Sequence, residues 1–130
     1  MKHLILIRHG QSEWNQQKRF TGWVDVGLTD KGRAEAKKAG ELIKEKKIKL
    51  DSFFSSYQKR ANDTLKIVMK ELNEDENLIT KKWQLNERHY GELTGLNKED
   101  MKKKYGEEKI HQFRRSWDVK PGALDRKSPI

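Results

Sequence analysis

The sequence predicts an α/β fold with a mostly parallel sheet flanked by helices. An apolar run at residues 3–7 has the composition of a buried strand, and a helix with periodic apolar residues should follow Thr29. A second strand and a second helix repeat this order between residues 51 and 72. Strand, helix, strand, helix is typical of α/β proteins, and right-handed crossovers between the strands make the sheet parallel.

The first predicted strand is followed by a long loop and then by the first helix. Residues 10–28 contain several Gly, Asn and Asp residues and little periodicity, so we expect an ordered loop there. Thr29 is a favourable N-cap residue, and Asp30 places a negative charge in the first turn. The helix should end near Lys46, and its inner face is formed by three apolar residues, Ala36, Ala39 and Ile43.

The second half of the α/β pattern begins with a short strand at residues 51–56. A helix should follow from about Gln58, and its buried stripe consists of Ala61, Leu65, Val68 and Leu72. Residues 78–80 predict a weak third strand.

The last third of the chain is predicted to be helical and then irregular. Asn97 and Asp100 form a start, similar to a capping box, to a short helix that ends near Tyr105-Gly106. A final helix would carry three apolar residues on one face, Ile110, Phe113 and Trp117. The Pro and Gly residues beyond Trp117 predict irregular chain.

Composition narrows the class of protein. The length suits a single domain, and the absence of cysteine excludes disulfides, thiolate metal sites and cysteine nucleophiles. The apolar run near Met1 is too short for a signal peptide or a membrane span, so we expect a cytoplasmic protein that does not bind membranes.

Apolar residues, with glycine counted and tyrosine not, make up about 38% of the chain, below the usual ~45–50%. Either the core is small or part of it comes from elsewhere.

The formal net charge of +9 favours anionic partners. Most of the lysine pairs have acidic residues nearby, which is typical of solvated helix faces. The chain has no recognisable nucleic-acid-binding module, so nucleic acid is not expected as a partner. No group of His, Asp and Glu residues has the spacing of a metal site, and we expect no metal.

The tripeptide Arg8-His9-Gly10 lies where the first predicted strand ends. Ligands of open α/β sheets bind at the carboxyl ends of the strands, and Gly10 would let the backbone approach a phosphate. Guanidinium groups neutralise the charge of a phosphoryl group during transfer, and arginine does so with a bidentate fork. A lone histidine is more often structural, so the tripeptide alone is weak evidence.

The wider sequence closely resembles the opening of the cofactor-dependent phosphoglycerate mutases, which belong to the histidine phosphatase superfamily. The resemblance covers nearly the whole chain and fades after about residue 118. It is carried by residues 6–15, 19–23, 28–32, 59–61, 85–91, 95–98 and 114–115. Arg8-His9-Gly10 indicates the superfamily, and the segment from Glu87 to Lys98 looks specific to mutases.

The resemblance implies an enzyme that interconverts 3-phosphoglycerate and 2-phosphoglycerate through a phosphohistidine, in glycolysis and gluconeogenesis. It implies a small anionic phosphorylated substrate and 2,3-bisphosphoglycerate as the phosphoryl primer. His9 would be the nucleophile, and Glu87 the general acid and base. Arg8 and Arg60 would flank the phosphate, and Asn15 would add a neutral donor. The other matches to substrate-binding positions are Thr21, Gly22, Tyr90, Lys98, Arg114 and Arg115.

Some of these assignments have plainer explanations. Without the motif, Glu87 is equally explained as a carboxylate paired to Arg88, and Arg114 and Arg115 as an exposed basic helix end. Two other functions stay open for the whole chain, a phosphatase of the same superfamily and an inactive anion-binding remnant that forms an oligomer. The segment from Glu87 to Lys98 favours the mutase over the phosphatase.

The resemblance also implies that residues 1–130 form a single domain that lacks the C-terminal part of the family fold. The family's second histidine, which helps to bind the transferring phosphoryl group, is matched by none of His3, His89 and His111. In the family, the strand that leads to it lies between the strands corresponding to residues 3–7 and 51–56. We therefore expect impaired turnover and an incomplete sheet. The sheet could be repaired by direct pairing of residues 3–7 with residues 51–56 or by recruiting a strand from another copy. We favour the second, which would give a homo-oligomer.

Overall fold

The computed structural model describes residues 2–127, which pack as two compact units. The first unit combines Met1–Ser12 with Gly27–Asn86, and the second combines Glu13–Val26 with Glu87–Ile130. The α/β class is confirmed, because helices accompany a small parallel sheet. The single domain over residues 1–130 stays a prediction.

The sheet of the first unit has two strands in the described residues. Strand β1 is Phe53–Ser55, strand β2 is Ile79–Lys81, and they pair in parallel with Phe53 opposite Ile79. The strand predicted at residues 51–56 is therefore present but shorter. The weak strand predicted at residues 78–80 is confirmed one position further along.

The buried strand predicted at residues 3–7 is wrong for this chain. The segment has no strand assignment, and the side chains of Leu4 and Leu6 are 84% and 85% exposed. A strand needs a hydrogen-bonded neighbour, and nothing in residues 2–127 pairs with this segment as a ladder. The only ladder partner of β1 there is β2, so direct pairing of residues 3–7 with β1 is not formed.

Helix α2, Asp30–Glu45, begins where the sequence predicts. The Thr29 hydroxyl accepts a hydrogen bond from the Gly32 backbone N–H at 3.1 Å, which caps one of the unpaired donors of the first turn. Ala36 and Ile43 are buried, and Ala39 is half-buried. Helix α1, Glu13–Gln16, is a single turn inside the predicted loop at residues 10–28.

Helix α3, Lys59–Glu71, has the predicted extent but a different buried face. Arg60, Thr64 and Val68 are buried, whereas the predicted Ala61, Leu65 and Leu72 are only half-buried. The buried line is rotated by one position because Arg60 and Thr64 hydrogen-bond to the loop at His9 and Gly10. The predicted stripe is therefore correct only at Val68.

The second unit is built around a small core of Phe20, Leu93, Ile110 and Phe113. Helix α4, Lys98–Tyr105, begins as predicted, because Asn97 Oδ1 accepts hydrogen bonds from the backbone N–H groups of its first turn. Helix α5, Glu107–Arg115, buries Ile110 and Phe113. Trp117 is 91% exposed, and the prediction that it continues this face is wrong because the helix ends at Arg115.

The chain after α5 is irregular, as predicted, but it contacts its own unit. Val119 packs against the core of the second unit, and the Gly122 carbonyl accepts a hydrogen bond of 2.8 Å from the Glu92 backbone N–H.

Single turns of 3-10 helix occur at Glu76–Leu78, Trp83–Leu85 and Gly91–Leu93. Within the described residues, no helix has the length and apolar character needed to cross a bilayer.

Candidate active site

His9 lies in the first unit, and each of its ring nitrogens has a hydrogen-bond partner. Its Nδ1 is 2.7 Å from the Gly10 carbonyl oxygen, which can only accept a hydrogen bond, so Nδ1 carries the proton. The Arg60 Nε–H group donates to His9 Nε2 at 3.4 Å, which makes Nε2 the nitrogen with the lone pair. In this neutral tautomer the Nε2 lone pair is the one that could act as a nucleophile.

Arg60 places a buried positive charge beside that ring. Arg60 is 1% exposed, although it lies in the first turn of α3. A guanidinium buried at this depth needs hydrogen-bond partners, and the His9 ring supplies one of them. Arginine can bind phosphate oxygens with two parallel N–H groups, so its place beside a histidine suits a phosphoryl group. Arg8 precedes His9 in the chain and is exposed.

The loop that carries His9 is attached to α3 by Thr64. The Gly10 backbone N–H donates to Thr64 Oγ1 at 3.0 Å, and the Thr64 hydroxyl donates to the Arg60 carbonyl at 2.8 Å. The same helix therefore positions the histidine loop and the arginine. Thr64 was not among the residues predicted from the sequence, although its spacing of four residues from Arg60 indicates that the two share a helix face.

Gly10 is required by the packing of this loop against α2. A Cβ atom at Gly10 would overlap with the Gly32 carbonyl, and one at Gly32 would overlap with the Gln11 carbonyl. Two glycines thus allow two backbones to touch, with Thr29 on the other side bonded to Gln11 through its hydroxyl. The loop is consequently held by both α2 and α3.

In the second unit, the loop containing Thr21 and Gly22 packs on the segment from Glu87 to Tyr90. Gly22 has φ of +60°, and a Cβ there would lie 3.1 Å from the Arg88 carbonyl oxygen. The Trp23 Nε1–H group donates to the Glu87 carbonyl at 2.6 Å. Thr21 and Gly22 are buried, whereas Glu87 is exposed.

Burial and four charged residues of the second unit influence the ionisation of the Tyr90 hydroxyl. Its ring packs on Phe20 with centroids 5.0 Å apart. Burial raises the pKa of the Tyr90 hydroxyl above its ordinary value of 10.0, and the Glu87 carboxylate adds to this rise. Three arginines act in the opposite direction and lower that pKa, namely Arg88, Arg114 and Arg115. Glu87, Arg114 and Arg115 therefore lie close enough to Tyr90 to act on its charge.

Arg88 has a structural role that was not predicted from the sequence. Its guanidinium donates to the carbonyls of Phe113 and Ser116 at 3.2 and 2.8 Å, at the carboxyl end of α5. Its backbone N–H donates to Glu87 Oε1 at 3.2 Å. Arg88 thus satisfies carbonyls at the end of α5, where Arg114 and Arg115 form the last turn.

The remaining site residues lie elsewhere in the second unit. Lys98 is the first residue of α4, and its Nζ lies 5.9 Å from the centroid of the Phe20 ring. Asn15 is half-buried in α1. His89 Nδ1 accepts from the Gly91 backbone N–H at 2.8 Å. Among residues 2–127, no group of three or more His, Cys, Asp and Glu side chains could hold a metal ion.

The sequence profile of the histidine phosphatase superfamily (branch 1) matches residues 4–128. The chain belongs to this superfamily. The match spans nearly the whole chain, including the tripeptide with His9, so the family predicted from the motifs is confirmed.

The most similar curated relatives include proteins named 2,3-bisphosphoglycerate-dependent phosphoglycerate mutase. The one from Pelagibacter ubique is 64% identical over 99% of this chain, which covers 54% of that relative. The one from Bacteroides fragilis is 50% identical over 99% of this chain, which covers 52% of that relative. The chain thus spans about half the length of the curated relatives that it matches.

Similar solved structures carry other names. A Bacillus stearothermophilus protein is 28% identical with a TM-score of 0.68, over 82% of this chain and 50% of that one. A mycobacterial glucosyl-3-phosphoglycerate phosphatase has a TM-score of 0.70 over 91% of this chain and 53% of its own. At 24% identity, the second likeness shows the fold alone.

Proposed function

We propose that the chain performs the phosphoryl-transfer chemistry of a 2,3-bisphosphoglycerate-dependent phosphoglycerate mutase. The observation that carries this proposal is the pair formed by His9 and the buried Arg60. The names of the similar relatives support the mutase in particular. The proposed reaction is the interconversion of 3-phosphoglycerate and 2-phosphoglycerate in glycolysis and gluconeogenesis.

His9 accepts the phosphoryl group in this proposal. The Nε2 lone pair forms an N–P bond while the P–O bond to the donor breaks, and the donor oxygen leaves as an alcohol once protonated. The bond from Nδ1 to the Gly10 carbonyl keeps the ring in the orientation for this attack. Arg60 and Arg8 neutralise the charge on the transferring oxygens.

The residues of the second unit have binding and proton-transfer roles in the same proposal. Glu87 exchanges protons with substrate hydroxyls, since it is an exposed carboxylate. The other roles are contacts to the carboxylate and phosphate of the substrate, and they belong to Asn15, Thr21, Gly22, Tyr90, Lys98, Arg114 and Arg115. The arginines beside Tyr90 support this, because they concentrate positive charge next to a hydroxyl donor.

The group that primes the enzyme is 2,3-bisphosphoglycerate, which would supply the phosphoryl group to His9. A buried guanidinium next to an imidazole with its lone pair at Nε2 fits an anionic donor of this kind. Arg8 and Arg60 are the residues that would hold its phosphate. We place the protein in the cytoplasm, where a diffusible phosphorylated metabolite is available, and this location is part of the proposal.

A coupled assay of the purified chain, with and without 2,3-bisphosphoglycerate, tests the proposed reaction. We expect mutase turnover that requires 2,3-bisphosphoglycerate but is lower than that of the Pelagibacter ubique relative by at least about 10²-fold. One missing preorganised donor commonly costs 10²–10³ in rate, and the chain has no match to the family's second histidine. Turnover equal to the relative's would contradict the impairment, and turnover without the primer would contradict the mutase.

A phosphatase is the second candidate, because similar solved structures carry that name. Inorganic phosphate measured in the same reactions separates the two activities, since a phosphatase releases it and a mutase keeps the phosphoryl group on the substrate. Binding of the substrate with neither reaction would leave the inactive anion-binding remnant as the function.

A further inference from the structure

Asn15 lies in helix α1, Glu13–Gln16, which is a single helical turn. None of its four described residues is buried, so burial of its own side chains does not hold α1 in place. A single turn of helix is unstable in water by itself, because fixing the backbone of the first turn is offset by only one hydrogen bond. Contacts beyond α1 therefore decide where Asn15 lies.

Helix α1 ends in a Schellman motif with Lys18 at its left-handed position. The Lys18 backbone N–H donates to the Asn15 carbonyl at 3.1 Å, and the backbone N–H of the next residue, Arg19, donates to the Trp14 carbonyl at 2.9 Å. Lys18 has φ of +55°, a conformation that glycine adopts freely and lysine adopts only with strain. The turn therefore persists only if other contacts hold Lys18 in this conformation.

The Arg19 side chain provides contacts of this kind. Its guanidinium carbon lies 3.9 Å from the centroid of the Trp14 ring. These two positions of a Schellman motif commonly touch, and here a stacked cation takes the place of the usual apolar contact. The Arg19 Nη1 group bonds to Gln17 within the turn, and its Nε–H group donates to the Gly95 carbonyl at 2.7 Å. The guanidinium thus attaches α1 to the segment that precedes α4.

The backbone of Lys18 joins two of the residues that are proposed to bind the substrate. Its N–H donates to the Asn15 carbonyl, and its carbonyl accepts from the Lys98 backbone N–H at 2.8 Å. Arg19 continues this contact as an antiparallel bridge with Asn97. Asn15 and Lys98 are therefore each one hydrogen bond away from the same strained residue.

We propose that Arg19 is a positioning residue for substrate binding. Its contacts fix the turn at Lys18, and this turn sets the placement of Asn15 relative to Lys98. The shape of the guanidinium is what matters, because lysine has neither its planar face nor an Nε–H group at a fixed position. The inference rests on the proposed function in one respect, since the substrate contacts of Asn15 and Lys98 belong to it.

Arg19→Lys tests this role, because it keeps the positive charge and removes the planar stack. We expect calorimetry to show about tenfold weaker binding of 3-phosphoglycerate, since two loosened side chains must then be ordered on binding. Arg126→Lys, at an exposed irregular position of the same unit, is the matched control and should bind as the unaltered chain does. Equal affinity of Arg19→Lys and the control would overturn the proposal.

A double-mutant cycle with Lys98 distinguishes positioning from a general loss of stability. If Arg19 acts through Lys98, the effects of the two substitutions are not additive. In a Lys98→Met chain, Arg19→Lys should weaken binding only about threefold, because one of the two side chains that Arg19 places is gone. A loss of about tenfold in both backgrounds would mean that Arg19 acts independently of Lys98, and it would overturn the proposed role.

Hydrogen exchange gives a measurement that needs no ligand. The amides of residues 18, 19 and 98 donate the bonds of this turn, so they should exchange faster in Arg19→Lys, while the amides of α5 exchange as before. Unchanged exchange of the amides in the turn would overturn the proposal. An unaltered chain that binds no 3-phosphoglycerate would count against the proposed function, and the exchange of these amides would still decide whether Arg19 holds the turn.

Discussion

The Arg60 guanidinium donates to His9 Nε2 across 3.4 Å, while the opposite ring nitrogen donates to the Gly10 carbonyl. The two contacts define the tautomer of the ring and place a buried charge next to its lone pair. A histidine with this environment is suited to accept a phosphoryl group.

Replacement of Arg60 should slow the phosphorylation of His9 more than it affects binding of the donor. Arg60→Lys keeps a positive charge but loses the bidentate fork, and we expect a rate about 10²–10³ lower with 2,3-bisphosphoglycerate. The measurement is the rate of phosphohistidine formation in rapid-quench experiments. Arg33→Lys, at an exposed position of α2, is the matched control and should change nothing. A rate unchanged in Arg60→Lys would remove the guanidinium from the chemistry.

Replacement of Thr64 should destabilise the histidine loop. Thr64→Val removes the acceptor of the buried Gly10 N–H while keeping the shape, which costs roughly 1–3 kcal/mol in the free energy of unfolding. Thr64→Ser keeps the hydroxyl and should retain most of this stability. Urea unfolding of the three proteins gives the comparison. If valine and serine were equivalent, the hydroxyl would have no role in holding the loop.

A methyl group at the contact between Gly10 and Gly32 should also be costly. Gly32→Ala places a Cβ against the Gln11 carbonyl, which must move, and overpacking of this kind costs roughly 1–3 kcal/mol in the free energy of unfolding. Lys31→Ala changes the neighbouring exposed position of the same helix and should cost far less. Equal stability of these two variants would show that the backbones are not in contact.

The Tyr90 hydroxyl should ionise only above its ordinary pKa of 10.0, because burial and Glu87 favour the neutral phenol. Its folded pKa is raised, so the neutral phenol contributes stability that is fully present below pH 10.0 and lost as pH rises through the folded pKa. The phenolate absorbance of the unaltered protein minus that of Tyr90→Phe isolates this group. Ionisation below pH 10.0 would mean that the arginines outweigh burial.

The parts of the fold that depend on neighbouring residues in the sequence were predictable. The caps at Thr29 and Asn97 are local hydrogen bonds, so the starts of α2 and α4 follow from the residues themselves. The strand predicted at residues 3–7 is not formed, because a strand needs a hydrogen-bonded neighbour that residues 2–127 do not supply. The prediction that Trp117 continues the apolar face of α5 was wrong for a local reason, because the helix ends two residues earlier.

The same distinction between local and distant partners applies to the residues of the candidate site. His9 and Arg60 were recognised from their motifs, and the structure brings them together. Thr64 and Arg88 were missed because their partners are backbone groups far away in the sequence, at Gly10 and at the end of α5. A side chain whose backbone partner lies far away in the sequence leaves no motif that identifies this partner.

The central claim is that His9 accepts the phosphoryl group. Incubation with 2,3-bisphosphoglycerate, followed by intact-mass analysis and mapping of phosphohistidine, tests it most directly, with His111→Asn at an exposed position of α5 as the control. We predict one phosphoryl group on His9, at the same rate in the unaltered chain and the control. Label on His89 or His111 with none on His9 would contradict the account.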